Sequence, residues 1–298
     1  HYSFIQSKTF FILIYLFLSI LFSTGLFVIF KYFGIYKIDT LKAIFVNYIV
    51  AFTMGVGLAD GAVSLSQIPE QSWFFGALFL GALFVSVFFV MATTAQRNGV
   101  SVASVAGKMS VVVPVLFGTF LYQESVTILK VLGILIALLA VYLASVKDEV
   151  DTKSGGMLFP ILLFFGSGVI DTTLKYVEVN FVPQEEVSLF SGSLFGIAAV
   201  FAATIILIQQ VRKKTSFGFK NIIAGIALGV PNYFSIIFLI KALQNKDFES
   251  SVLFTVNNVG IVILSTFVGL LIFKEKFSLK NKIGVFLAVL GILLVTIA

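Results

Sequence analysis

Residues 72–95 read SWFFGALFLGALFVSVFFVMATTA and contain no charged side chain. A helix that crosses a hydrocarbon core of about 30 Å needs roughly 20 mostly apolar residues. This stretch is long enough, and its apolar residues run continuously instead of alternating with polar ones as they do in the strands of a membrane β-barrel. It therefore predicts a transmembrane helix.

Comparable runs recur along the whole chain. Of its 298 residues 59% are apolar and only 11% are charged, with a mean hydropathy of +1.09. A soluble domain is roughly 25% charged, so the composition excludes a soluble globule and predicts an all-α integral membrane protein. Cutting the sequence at charges and turn clusters predicts ten transmembrane helices: 10–30, 42–59, 72–95, 100–121, 128–146, 157–177, 186–208, 221–242, 250–272 and 282–297.

The composition also excludes several kinds of chemistry. The chain has no Cys, which removes thiol catalysis and Cys-based metal sites. It has no phosphate-binding Gly-Lys-Ser/Thr loop and no set of residues for intramembrane proteolysis. Its net charge of +6 lies between apolar runs, where lipid headgroups attract it, and does not indicate nucleic acid. We expect no enzyme activity, no metal and no cofactor.

The two halves of the sequence resemble each other. A shift of 151 residues places Gln123–Thr127 on Lys274–Ser278. Near the start of each half, Phe22–Gly25 matches Phe165–Gly168 with a slightly different offset. These matches predict an internal duplication.

The duplication also predicts how the halves are oriented. Residues 1–148 and 149–298 each hold five predicted spans, and an odd number forces the two copies into opposite orientations across the bilayer. Inverted repeats of this kind are typical of secondary transporters, in which both halves together form one transport domain. Ten helices can form a complete path in one chain, so a monomer would suffice, although the sequence leaves the oligomeric state open.

The same residues resemble those of a known family. The chain is similar to the ten-helix EamA-like members of the drug/metabolite transporter superfamily. The resemblance lies in the Glu-containing turns before Gly133 and Gly284, in the stretch 99–104 and in Pro114. It implies that helices 1–4 and 6–9 surround a central path, that helices 5 and 10 brace it, and that the host membrane is a bacterial inner membrane.

Two ionisable residues lie deep within predicted spans. A charge near the bilayer centre costs about 2.5–3.5 kcal/mol on insertion scales, so Lys108 and Asp171 should face a polar cavity or a partner. Lys108 can attract a carboxylate or phosphate, and Asp171 can hold a cationic group or relay a proton. Alternatively, Lys108 pairs permanently with Asp171 or reaches the interface, or Asp171 forms an ordinary intrahelical pair with Lys175.

Amide and phenol side chains also fall within apolar spans. They supply hydrogen bonds to a substrate, or they join helices, since interhelical hydrogen bonds are common in membrane proteins. Glu124 and Glu275 recur in both halves at span ends, where a role in a turn or at the interface is favoured over proton coupling. The candidate substrate-binding residues are Lys108, Asn257, Asn258, Asn47, Tyr48, Asp171, Asn232 and Tyr233.

These observations predict a secondary transporter that moves a small polar metabolite through a central cavity by alternating access. An amino acid or a related zwitterion suits Lys108 together with Asp171 best, and an organic anion is the other substrate class. The alternative is a lipid-handling protein, either a flippase-like subunit or a non-transporting membrane partner, since a fold does not fix a function. The side that the termini face stays open, because the Lys and Arg distribution places them outside whereas the resemblance implies the cytoplasm.

Overall fold

A computed structural model describes most of the chain. The described residues are 2–57, 65–121, 127–145, 156–183, 186–213, 217–243 and 250–297. Glu124 and the predicted boundary between the halves at 148/149 lie outside them. The described residues form one 3₁₀-helix, Leu65–Glu70, and eleven α-helices: α1 (Tyr2–Ile35), α2 (Thr40–Gly57), α3 (Phe74–Arg97), α4 (Val100–Met109), α5 (Val112–Leu121), α6 (Ile128–Ser145), α7 (Leu158–Phe181), α8 (Val187–Lys213), α9 (Phe219–Leu243), α10 (Ser250–Leu271) and α11 (Leu279–Ile297).

The helices are those of an integral membrane protein. Within the described part of the chain, none of the residues lies in a β-strand, and six helical segments are long and apolar enough to cross a membrane, one of which is α4 together with the start of α5. Large apolar side chains cover the outside, among them Phe75, Ile128 and Phe286, which are 80%, 81% and 68% exposed. A helix that presents such residues outward is stable in lipid, because lipid chains solvate apolar side chains without burial in protein. The prediction of an all-helical membrane protein is confirmed at this level.

The predicted span 100–121 is not one helix, which corrects the sequence-based boundary. It consists of α4 and α5, separated by a turn at Ser110 and Val111. Pro114 has no N–H to donate to the carbonyl of Ser110, four residues earlier. That carbonyl accepts instead from the backbone N–H of Val113 at 2.9 Å. The break thus places Pro114 in the first turn of α5, where a missing N–H costs little.

A second proline leaves its helix intact. Pro231 lies inside α9, which continues on both sides of it. The next residue, Asn232, donates from its side-chain amide to Oδ1 of Asn47 on α2 at 3.1 Å. On the preceding turn a Cβ at Gly229 would lie 3.0 Å from the backbone oxygen of Asn47. Close packing and a hydrogen bond therefore fasten α9 to α2 around the proline.

Helices α6 and α11 pack backbone against backbone. A Cβ added at Gly284 would lie 2.4 Å from the backbone nitrogen of Ala144. The side-chain amide of Asn281 donates to the carbonyls of Leu143 and Ala144 at 3.1 and 3.0 Å, and so satisfies the end of α6. Small residues permit this close approach. The fifth and tenth predicted spans therefore pack closely against each other.

Elsewhere, helices from the N-terminal half of the chain pack against helices from the C-terminal half. Helix α2 packs on α8 and α9, and α3 packs on α7 and α8. Helix α1 packs on α9 and α10, and α7 packs on α4 and α5. The side chains in α4 and α7 are thereby brought together in the interior.

Candidate functional site at the broken helix

The break between α4 and α5 concentrates polar groups inside the helix bundle. Lys108 is half-buried, one residue before the end of α4. The carbonyl end of a helix carries partial negative charge, which favours a cation at that position. Ser110 is buried in the turn itself, and its hydroxyl donates to the carbonyl of Gly107 at 2.6 Å.

Asp171 faces this break from α7. Its carboxylate lies close enough to Lys108 and to the Ser110 hydroxyl to interact with both. Ser110 has one hydroxyl proton, so it can serve either the Asp171 carboxylate or the carbonyl of Gly107 at any one time. The break therefore holds opposite charges from two helices and a hydroxyl that can change partner.

The position of Asp171 on α7 separates it from the lipid-facing side. Leu162, Phe165 and Val169 form an exposed apolar stripe along α7, with exposures of 46%, 54% and 36%. Asp171 follows Val169 by two residues, which places it about 200° further around the helix. Asp171 is itself exposed, and this exposure lies on the side of α7 away from the apolar stripe.

Helix α10 borders the same region. The hydroxyl of Ser265 hydrogen-bonds that of Ser104, and a Cβ at Gly269 would meet the hydroxyl of Ser101. These two contacts show that α4 and α10 run antiparallel. Asn258 lies two turns before Ser265 in α10. Because the two helices are antiparallel, this places it at the depth of the break, and it is half-buried.

The neighbouring amide, Asn257, is more deeply enclosed. It is 2% exposed, and its Oδ1 has no hydrogen-bond partner within the described residues. A buried polar atom without a partner costs free energy comparable to a lost hydrogen bond. Asn257 is therefore a ready acceptor for a ligand donor.

The Asn-Tyr pairs of α2 and α9 form a separate cluster. Asn47 and Asn232 are both buried and hydrogen-bond each other, which joins the two helices directly. In this part of the structure the Nδ2 of Asn47 and the hydroxyl of Tyr48 remain buried without a partner. Tyr233 is buried beside Phe234, with ring centroids 5.8 Å apart.

The eight predicted residues are thus distributed over two clusters and one flanking helix. An electrostatic interaction relates Lys108 to Asp171, and a hydrogen bond joins Asn47 to Asn232. Sequence reasoning missed Ser110, although its position between Lys108 and Pro114 could have identified it. It also missed Thr24, whose buried hydroxyl has no hydrogen-bond partner in the described part of the chain.

Comparisons with known proteins bear on the fold. No family model matches the chain. An uncharacterized protein of Haemophilus influenzae is 28% identical over 253 residues, which cover 82% of this chain and 84% of the relative. A solved crystal structure aligns with a TM-score of 0.61 at 18% identity, covering 95% of this chain and 96% of the other. The fold is therefore shared with a solved protein over nearly its whole length.

Proposed function

We propose that this chain is a secondary transporter for a small polar metabolite. It crosses the membrane ten times, as two inverted five-helix repeats that make one transport domain, and alternates access to a central cavity. The break between α4 and α5, with Lys108 and Asp171 beside it, is the observation that carries this proposal.

The pattern of helix contacts supports the inverted repeats. If α1 to α3 correspond to α7 to α9, the contact of α2 with α9 has its counterpart in α8 with α3. The contact of α1 with α10 likewise corresponds to that of α7 with α4 and α5. The pairs α2 with α8 and α6 with α11 each map onto themselves. A two-fold axis in the membrane plane produces such pairing.

The broken helix supports a binding site inside the bundle. Irregular backbone within a membrane is tolerated where it is buried in protein or lines a polar cavity. Transporter sites are commonly built on such discontinuous helices. Lys108 and Asp171 occur at this one break, although each charge costs about 2.5–3.5 kcal/mol to insert.

The two charges favour a zwitterionic substrate such as an amino acid. Lys108 would bind a carboxylate, and Asp171 would bind an ammonium group, so the substrate replaces the interaction that the two side chains make with each other. Ser110 would then direct its proton to the carbonyl of Gly107 or to the substrate. An organic anion would use Lys108 alone.

The amides and phenols would complete the path. Asn257 and Asn258 lie on α10, which packs on α4, and can hydrogen-bond a substrate at the break. Asn47, Tyr48, Asn232 and Tyr233 line the contact of α2 with α9, where two polar atoms have no partner within the described chain. We place these four at a second level of the path. The EamA-like family, a bacterial inner membrane and a monomeric transport unit fit this account.

A ligand screen with matched lysine variants tests the proposal. Purified protein is heated with amino acids, organic acids and lipid headgroups, because a ligand that binds the native state stabilises it, by about 2.7 kcal/mol at a hundred times its Kd. Lys108→Ala should abolish stabilisation by one soluble class. Lys175→Ala, which removes an equal charge one turn from Asp171, should retain it.

Either of two other outcomes would redirect the assignment. Loss of stabilisation in Lys175→Ala but not in Lys108→Ala would identify Asp171 as the partner of an ordinary intrahelical pair. Stabilisation by lipids alone, equal in both variants, would favour the lipid-handling alternative. Uptake of the stabilising metabolite into proteoliposomes would then distinguish transport from mere binding.

A further inference from the structure

A cavity lies at the membrane surface, at the end of the bundle where α4 begins. Its volume is about 600 Å³. It is bordered by the ends of α1, α3 and α6 and by the starts of α4 and α11. Because helix ends on one side of the bilayer meet here, the cavity lies at the depth of lipid headgroups.

Three cationic side chains line this cavity. Lys31 comes from the last turns of α1, Arg97 ends α3, and exposed Lys276 lies between α10 and α11. The Nζ of Lys31 donates to the carbonyl of Gln96 at 3.2 Å, and the guanidinium of Arg97 lies 5.0 Å from the ring centre of Phe159. These contacts hold the two charges at the rim.

The carboxylate in the cavity wall, that of Glu275, is held at the start of α4. Glu275 accepts hydrogen bonds from the backbone N–H of Val100 at 2.7 Å and from the hydroxyl of Ser101 at 3.1 Å. It thereby caps the start of α4, where partial positive charge offsets its own negative charge. The cavity is left with a surplus of positive charge.

Two polar atoms in the wall have no partner within the described residues. Ser145 is 6% exposed, and its hydroxyl is unsatisfied. Asn98 donates from Nδ2 to the carbonyl of Gly156 at 2.8 Å, which leaves its buried Oδ1 as an acceptor. The wall therefore offers one hydroxyl donor and one amide acceptor beside the cations.

We propose that this cavity binds a phosphate group that carries a neighbouring hydroxyl, as in glycerophosphate. Lys31, Arg97 and Lys276 attract the phosphate, and Ser145 donates a hydrogen bond to it. The Oδ1 of Asn98 accepts a hydrogen bond from the neighbouring hydroxyl. Phe273, Phe277 and Val285 supply an apolar part of the wall beside these groups. This site uses none of the residues of the proposed transport path and stands apart from that proposal.

The phosphate can belong to an anionic lipid or to a soluble metabolite, and binding measurements separate the two. Full-length protein in detergent is titrated with glycerol 3-phosphate. Protein in nanodiscs is compared between phosphatidylglycerol and phosphatidylcholine by native mass spectrometry of retained lipid. Saturable binding of glycerol 3-phosphate identifies a soluble ligand, and selective retention of phosphatidylglycerol alone identifies a headgroup site.

Matched variants test the assignment. Lys276→Gln should weaken binding of whichever ligand is found by about fivefold, since it removes a charge-assisted contact, and Ser145→Ala by about threefold. Lys282→Gln removes an equal charge from an exposed lysine that does not line the cavity, and should leave affinity within about twofold.

Two results would overturn the proposal. One is that glycerol 3-phosphate does not bind and that phosphatidylglycerol is retained no better than phosphatidylcholine. The other is that Lys282→Gln weakens binding as much as Lys276→Gln does, which would indicate general attraction to a basic surface. Unfolding midpoints of the variants, matched to wild type, show that loss of binding is not loss of folding.

Discussion

Helices α4 and α10 pack against each other through Ser104 and Ser265, yet their backbones differ. Helix α10 continues from Ser250 to Leu271 and contains no charged residue. Helix α4 ends at Met109 and α5 begins at Val112, with Lys108 beside the gap between them. Charge and broken backbone therefore occur together, in one member of a packed pair. Both features need a polar environment, which the proposed transport site would supply.

The largest expected effect comes from closing the break. Pro114→Ala removes the proline that would cost about 3 kcal/mol inside a continuous helix, so an unbroken α4–α5 helix becomes accessible. Affinity falls with the fraction of molecules that keep the binding-competent form, and we expect a loss of about tenfold or more. Titration of the ligand found in the thermal screen measures this.

A second proline provides the control for that experiment. Pro231→Ala lies in α9, which is already continuous, and should leave ligand affinity unchanged. Equal affinity in Pro114→Ala and wild type would show that the broken backbone is incidental to binding.

The next effect concerns two glycines at close helix contacts, one where α7 meets α5 and one where α10 meets α1. A Cβ at Gly168 of α7 would lie 2.4 Å from Cβ of Val113, whose branched side chain has little freedom to move. We expect Gly168→Ala to lower the free energy of unfolding by about 1–3 kcal/mol through overpacking. In Gly260→Ala of α10 the nearest atom is the terminal Cδ1 of Ile20, which can rotate away. Chemical unfolding in detergent should show the smaller loss for Gly260→Ala, and the reverse order would contradict this packing account.

A smaller effect is expected after the end of α10, where Glu275 caps the start of α4. A Cβ at Gly269 would lie 2.4 Å from the carboxylate of Glu275. Gly269→Ala should displace that carboxylate from the start of α4 and cost about 1 kcal/mol, the usual value of a lost cap. Glu275→Gln retains a side-chain acceptor and should cost less. A larger loss in Glu275→Gln would indicate that the charge of Glu275 has another partner.

The smallest effect is expected at the contact that joins the two helices. Ser265→Ala removes the hydroxyl pair with Ser104 and should destabilise the protein by about 0.6 kcal/mol, the average for interhelical hydrogen bonds in a membrane protein. A double-mutant cycle with Ser104→Ala measures this interaction separately from other effects of the substitutions. A coupling energy near zero would mean that van der Waals packing alone holds α4 on α10.

Local sequence was sufficient for the helical class and for most helix positions. The uncharged run of 72–95 predicted a span where the structure has α3, because length and hydropathy are properties of the segment itself. Pro114 lies within the single predicted span 100–121, and the sequence did not specify that the helix would stop before it.

Features that join distant residues were not accessible in this way. Glu275 was expected to have a role in a turn, and it does cap a helix, but that helix begins 175 residues earlier at Val100. The surface cavity draws Lys31, Arg97 and Ser145 from three helix ends. No periodicity within one segment indicates such a meeting, because it depends on the packing of the whole bundle.

The central claim is that Asp171 faces a water-accessible path and not lipid. The chain has no Cys, so single-cysteine variants can be labelled without background. We would measure the labelling of Asp171→Cys by a charged, water-soluble thiosulfonate, with Val169→Cys on the opposite side of α7 as the matched control. The account predicts that Asp171→Cys reacts while Val169→Cys does not. Equal reactivity of the two positions, or no reaction at Asp171→Cys, would contradict it.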